Sequence, residues 1–228
     1  PYAREDLVQG TKVTITPRKY TKAINITEEM LRFNLWPEIN NLTTAVAHST
    51  TGRIDKEAAK IFYLGFGTTN FTGGDGLALY SASHTMADGS TQSNTLGTST
   101  LSYDNLKTAC QRMDRFYNDK GIQLLPCRKL RLVVARENKE RAEEVLRSIG
   151  NPDNANRVSN VFNNGEGYID YVVADWIPAD AAYKYNWFLV DMERASMMAY
   201  MVWGWRPKFD SDNIVNNGSK IYTGSVMF

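Results

Sequence analysis

Asp75-Gly76-Leu77-Ala78-Leu79-Tyr80-Ser81-Ala82-Ser83-His84, followed by Gly89-Ser90-Thr91-Gln92-Ser93-Asn94, sits in a stretch, residues 71–101, rich in Gly, Ser, Thr and Asn. A loop this long inside a compact domain calls for a function or for cover by another chain. Ser81 and His84 are the pair in it that invite chemistry, as nucleophile and base. A serine hydrolase wants its Ser on a strained G-x-S-x-G elbow, an oxyanion hole and an orienting acid. Here Tyr80 and Ala82 flank Ser81, and the second histidine, His48, falls in a helical pattern elsewhere. The pair reads better as hydrogen bonding that orders the loop, with a small hydrolase using Ser81 and His84 as the alternative from another class. Asp75 lacks the alternating ligands and terminal Glu of a calcium loop. No Gly-Lys-Ser/Thr follows its glycines to make a phosphate loop. Two His and two Cys, none at C-x-x-C or H-x-x-x-H spacing, give zinc no ligand set. No metal or cofactor is expected.

Downstream, Leu130-Arg131-Leu132-Val133-Val134-Ala135 reads as a short buried strand. It runs straight into a helix whose apolar face is Ala142, Val145, Leu146 and Ile149, stopped by Gly150-Asn151-Pro152. Ahead of that strand, Ser102 caps a helix carrying Leu106, Ala109, Cys110, Met113 and Phe116, with Gly121 as its stop. Residues 151–167 form a polar loop. Strands are expected over residues 168–174, 187–191 and 197–205, then a hairpin-like stretch over residues 206–228. Trp203-Gly204-Trp205-Arg206-Pro207 fits a strand of that sheet better than a platform for stacking nucleic-acid bases.

Upstream, Thr27-Glu28-Glu29 is a helix start, an N-cap oxygen followed by carboxylates where the helix dipole is positive. Pro37 should kink or restart the helix. From Glu38 the apolar residues Ile39, Leu42, Val46, Ala58, Ile61 and Phe62 recur at helical steps up to Leu64, before Gly65 and Gly67. A helix over residues 38–64 would be roughly 40 Å long, with Thr50-Thr51-Gly52 as its weak point. Such length is unusual in a small globular enzyme. Residues 12–26, with Pro17 among them, read as extended pieces at a sheet edge that need a neighbour.

The chain has 228 residues, enough for one large or two small domains with a sizeable core. Its 26 basic and 25 acidic residues nearly cancel, which argues against a dedicated DNA-binding protein. Twelve Tyr, nine Phe and five Trp suit a chain whose surfaces meet other chains, and a core would use them equally well. No run of about 18 apolar residues is present to cross a membrane. Cys110 and Cys127 are too few to staple a domain of this size and read as reduced thiols.

The D-G-x-x-L-Y-S-x-x-H and G-x-x-x-S-N elements of residues 75–94, and the strand–helix L-V-V-A…A-x-x-x-L of residues 132–146, occur in an order similar to that of one family. The chain resembles the major head subunit of Mu-like tailed phages, which has the Hong Kong 97-type capsid fold. The resemblance covers nearly the whole chain and implies an α+β fold in four parts. These are an extended arm (residues 1–26), a long spine helix with the first part of a peripheral domain (27–99), an axial domain (100–194), and further peripheral strands (195–228). It also implies a structural protein, not an enzyme, that self-assembles into hexamers and pentamers of an icosahedral shell enclosing double-stranded DNA. Scaffolding, portal and decoration proteins would be its other partners, and the virion its place after assembly in the host cytoplasm. An encapsulin-type compartment is the alternative within the same fold. The implied assembly contacts are Lys12, Pro17 and Lys19 on the arm, and Asn163, Asn164 and Glu166 in the polar loop.

Overall fold

In the computed structural model the described residues are 16–118, 121–154, 156, 158–163, 169–198, 201–202, 204–213 and 220–227. In chain order the elements are β1 (Lys19–Ile26), α1 (Glu28–Arg32), α2 (Trp36–Leu64), β2 (His84–Thr85), β3 (Thr91–Gln92), α3 (Tyr103–Met113), β4 (Leu130–Val134), α4 (Lys139–Arg147), β5 (Ile169–Val173), β6 (Trp187–Asp191), α5 (Met192–Met198), β7 (Trp205–Asn213) and β8 (Lys220–Met227). Helices and strands do not alternate as in a parallel α/β sheet, and the class is α+β. The chain divides within α2 into two compact units, one holding Ala59–Met198 and the other Ile15–Ala58 with Ala199–Phe228.

The second unit is a sheet in the order β1-β8-β7 with most of α2 against it. Both pairings are antiparallel, from Lys19↔Met227 to Ile26↔Lys220 on one side and with a bulge between Trp205 and Lys208 on the other. The Thr27 hydroxyl accepts from the Met30 amide at 3.4 Å to cap α1. Asn34, at a φ of 55°, breaks the chain before α2. Pro37 then lies in the first turn of α2, where its missing N–H costs no hydrogen bond, so it restarts the helix and does not kink it. At 29 residues α2 is about 43 Å long. Thr50 and Thr51 do not interrupt it, because their hydroxyls donate back to the carbonyls of Val46 and Ala47 at 3.0 and 3.2 Å. Where the sheet meets α2, a Cβ on Gly224 would lie 2.8 Å from both Val46 Cγ1 and Thr50 Oγ1. Ile26 and Val226, each 1% exposed, bury the same contact.

The first unit packs α3 and α4 on a sheet in the order β5-β4-β6. Central β4 runs parallel to β5 and antiparallel to β6. Leu106, Leu132, Val134, Ala142 and Val145 are wholly buried between these layers. Leu132 and Val134 of β4 face this core, while Arg131 interrupts the apolar run and pairs with Asp170 at 3.3 Å. Three sequence expectations need correction here. Helix α3 ends at Met113, so Phe116 lies beyond it, and Gly121 (φ 72°) serves a separate turn bridged by Tyr117 and Gln123. Residues 197–205 are not one strand. The buried Asp191 carboxylate accepts from the amides of Glu193 and Arg194 at 3.0 and 3.4 Å, which starts α5, and β7 begins only at Trp205. Ile149 is 87% exposed, because α4 stops at Arg147.

Gly224→Ala should destabilise the β1–β8–β7 unit by about 1–3 kcal/mol, since the added methyl has no room against Val46 and Thr50. Chemical denaturation followed by far-ultraviolet circular dichroism measures it, and an unchanged midpoint would contradict so close a contact.

Candidate functional site

Tyr80 anchors the glycine- and serine-rich stretch to the first unit. Its amide donates to the Gly65 carbonyl at 3.0 Å, and its ring covers Gly65 so closely that a Cβ there would sit 2.7 Å from it. The same ring packs on Phe66 and Phe188, with centroids 4.9 and 5.1 Å away. Burial pushes the Tyr80 phenol well above its ordinary range.

Around this anchor the motif closes on itself. Asp75 Oδ1 accepts from the Leu77 amide at 3.1 Å, next to Gly76 at a φ of 77°. Asp75 Oδ2 meets His84 Nδ1 at 2.6 Å, and His84 Nε2 reaches the Leu79 carbonyl at 3.2 Å. Asn94 Nδ2 donates to that carbonyl as well, at 2.7 Å, while its Oδ1 and amide pair with the amide and carbonyl of Ser81 at 2.9 and 3.2 Å. The Asp75 carboxyl is held below its usual range, first by the hydrogen bond with His84 and then by the Leu77 amide. Ser81 Oγ accepts from the Ser83 amide at 3.3 Å, and His84 spends both ring nitrogens on Asp75 and Leu79. Both side chains bond within the loop, Ser81 to the Ser83 amide and His84 to Asp75 and Leu79. They order the loop.

A second constellation joins α4 to the turn that follows it. Asp153 accepts from the Tyr103 amide at 2.7 Å and pairs with Arg141, which also donates to the Leu101 carbonyl at 3.2 Å. Burial pushes the Asp153 carboxyl upward, but Arg141 and the Tyr103 amide outweigh it and hold the group below its usual range. Asn160, 1% exposed, reaches the carbonyls of Val145 and Ser148 at 2.8 and 3.0 Å through Nδ2 and accepts from the Phe162 amide at 3.0 Å. Gly150 bridges Ser159, and the Asn151 amide donates to the Val158 carbonyl at 2.7 Å. This clamped turn presents Ile149, Val158 and Val161 outward, 87%, 57% and 69% exposed.

Of the residues expected at an assembly contact, Asn163 is exposed at the end of this turn, in a short 3₁₀ segment, Val161–Asn163. Pro17 is half-buried just before β1, and Lys19 is exposed at its start. Lys12, Asn164 and Glu166 lie outside the described residues. Asn160, Asp153 and Arg141 were missed because one Asn or Asp in a polar loop looks like any other. An Asx-type turn signal at Asn160 was the available clue.

Burial pushes the free thiols Cys110 and Cys127 up to about 12 and about 11, so neither is a ready nucleophile. Among the described residues no group of three or more His, Cys, Asp or Glu is placed to hold a metal ion, and no helix is long and apolar enough to cross a membrane. The sequence model of a family described as phage capsid protein matches residues 10–222. Among curated proteins, none matches the chain.

Asp75→Asn should loosen the loop and raise amide exchange at Leu77 and Ser81. A depressed folded pKa stabilises above the ordinary carboxylate value of 3.8 and loses its effect as pH falls through the lowered value. The advantage of the wild type over Asp75→Asn should therefore persist above about pH 4 and vanish on further acidification. Amide exchange against pH measures it, and a gap that widens in acid would contradict the assignment.

Proposed function

This chain belongs to the phage capsid protein family, and we propose that it is the major head subunit of a Mu-like tailed phage. In this reading it has the Hong Kong 97-type fold and assembles as hexamers and pentamers into an icosahedral shell around double-stranded DNA. The arm of residues 1–26, anchored in its own subunit where Lys19–Ile26 pairs with β8, carries Lys12, Pro17 and Lys19 to a neighbouring subunit. The axial domain of residues 100–194 brings its polar loop, with Asn163, Asn164 and Glu166, against symmetry mates. Scaffolding, portal and decoration proteins complete the head.

The observation that carries this reading is the clamped turn with Ile149, Val158 and Val161 facing out. Isolated exposed apolar residues are ordinary on a soluble protein, but three presented by one short, clamped turn fit a contact surface. All three side chains are β-branched and stiff, so they lose little freedom on contact. Asn160 and Asp153 already hold the backbone beneath them, which lowers the ordering cost of association. A second copy of the chain is the occupant a shell protein supplies.

Purified protein examined by sedimentation velocity and negative-stain electron microscopy should give capsomers and closed shells. Ile149→Asp should keep the circular dichroism of the wild type while raising the concentration needed for assembly at least ~10-fold. A wild type that stays monomeric at every concentration would contradict the shell reading, and an Ile149→Asp protein that assembles normally would remove this turn from the interface.

A further inference from the structure

The β1-β8-β7 sheet has two unlike faces. On one, Tyr20, Lys22, Ile24 and Ile26 alternate toward α2. The Arg53 guanidinium lies 4.1 Å from the centre of the Tyr20 ring, and Lys22 Nζ donates to Ser49 Oγ at 3.2 Å. Period-two alternation puts Lys19, Thr21, Ala23 and Asn25 on the other face, and all four are exposed. The register sets Trp205 beside Met227, whose other neighbour is Lys19, and sets Lys208 beside Ser225. Lys19 Nζ and Lys208 Nζ each lie 5.4 Å from the Trp205 ring centroid, one from either side strand of the sheet. Arg18 and Arg206, both exposed, adjoin them at the same end.

None of these four cations pairs with a carboxylate among the described residues. Asp210 is exposed further along β7, away from the strand ends where the cations gather. In a chain whose formal net charge is only +1, this is a local excess. The indole also holds both flexible ammonium groups over one point, which reduces what each loses on meeting an anion.

We infer that this end of the sheet is a contact for the phosphate backbone of double-stranded DNA, made by Arg18, Lys19, Arg206 and Lys208 around Trp205. The inference rests on the shell reading, which places the chain next to enclosed DNA. Contacts of this kind ignore base sequence and weaken steeply with salt. One such patch binds weakly, and many copies on one shell bind together.

The test uses the full chain before assembly, with a fluorescein-labelled 30-base-pair duplex titrated between 50 and 200 mM salt and a poly-glutamate peptide as second probe. Four phosphate contacts predict a slope of log affinity on log salt of about −3.6. Arg206→Gln with Lys208→Gln, neither of them a proposed assembly contact, should make that slope shallower by about 2, and duplexes of unrelated sequence should bind alike. Lys107→Gln, exposed on α3, should leave it unchanged. An unaltered slope in the double variant overturns the proposal. So does tighter binding of poly-glutamate than of duplex, lost in the same variant, which would make the face a dock for an acidic protein. The double variant should still sediment as shells. If the wild type forms none, the shell reading fails, and the salt slope judges the DNA contact separately.

Discussion

The carbonyl of Leu79 accepts from Asn94 Nδ2 at 2.7 Å and faces His84 Nε2 at 3.2 Å, and the whole polar stretch closes on that one acceptor. Before Leu101, which joins the core, residues 71–100 include no fully buried side chain, and the two-residue strands β2 and β3 are their regular structure. Their order comes from side chains bonding to backbone. Each such bond contributes only about 0.5–1.5 kcal/mol net, so several must converge to hold one conformation. Asp75, His84 and Asn94 converge on the chain beside Tyr80, and Tyr80 joins that knot to the aromatic cluster of Phe66 and Phe188. Further on, Arg112 donates to the Thr95 carbonyl at 2.6 Å and Trp187 Nε1 to the Ser99 carbonyl at 2.9 Å. These fasten the end of the stretch to α3 and β6.

The same device recurs at the turn after α4, where Asn160 and the Arg141–Asp153 pair fix a polar segment that could not be held by apolar burial. Both cases place the cost of ordering a loop in the folding of one subunit. In the proposed shell, every contact between copies would then begin from a fixed surface.

Elements that depend on local pattern were legible in the sequence. The apolar run of β4 and the amphipathic face of α4 were correctly placed, as were the Ser102 cap, whose oxygen accepts from the Asn105 amide at 3.2 Å, and the long α2. The motif from Asp75 to Asn94 could be read as loop-ordering, although which partners bond could not. Failures fall where a distant or terminal contact decides. Ile149 fits the helical period but comes after the last helical turn, so period alone buried it wrongly. Residues 197–205 are apolar enough for a strand, yet Asp191 caps a helix just ahead of them. Beyond its Asx-type bond to the Phe162 amide, the partners that bury Asn160 could not be read, because they lie 12 and 15 residues away in the chain.

The most direct measurement is a cryo-electron microscopy reconstruction, at side-chain resolution, of particles formed by the purified chain. The account predicts a closed shell in which Ile149, Val158 and Val161 of each copy are covered by a neighbouring copy, with the Asp75–His84–Asn94 knot unchanged from the single subunit. A closed shell that leaves those three side chains in solvent, or a knot that opens on assembly, would contradict it.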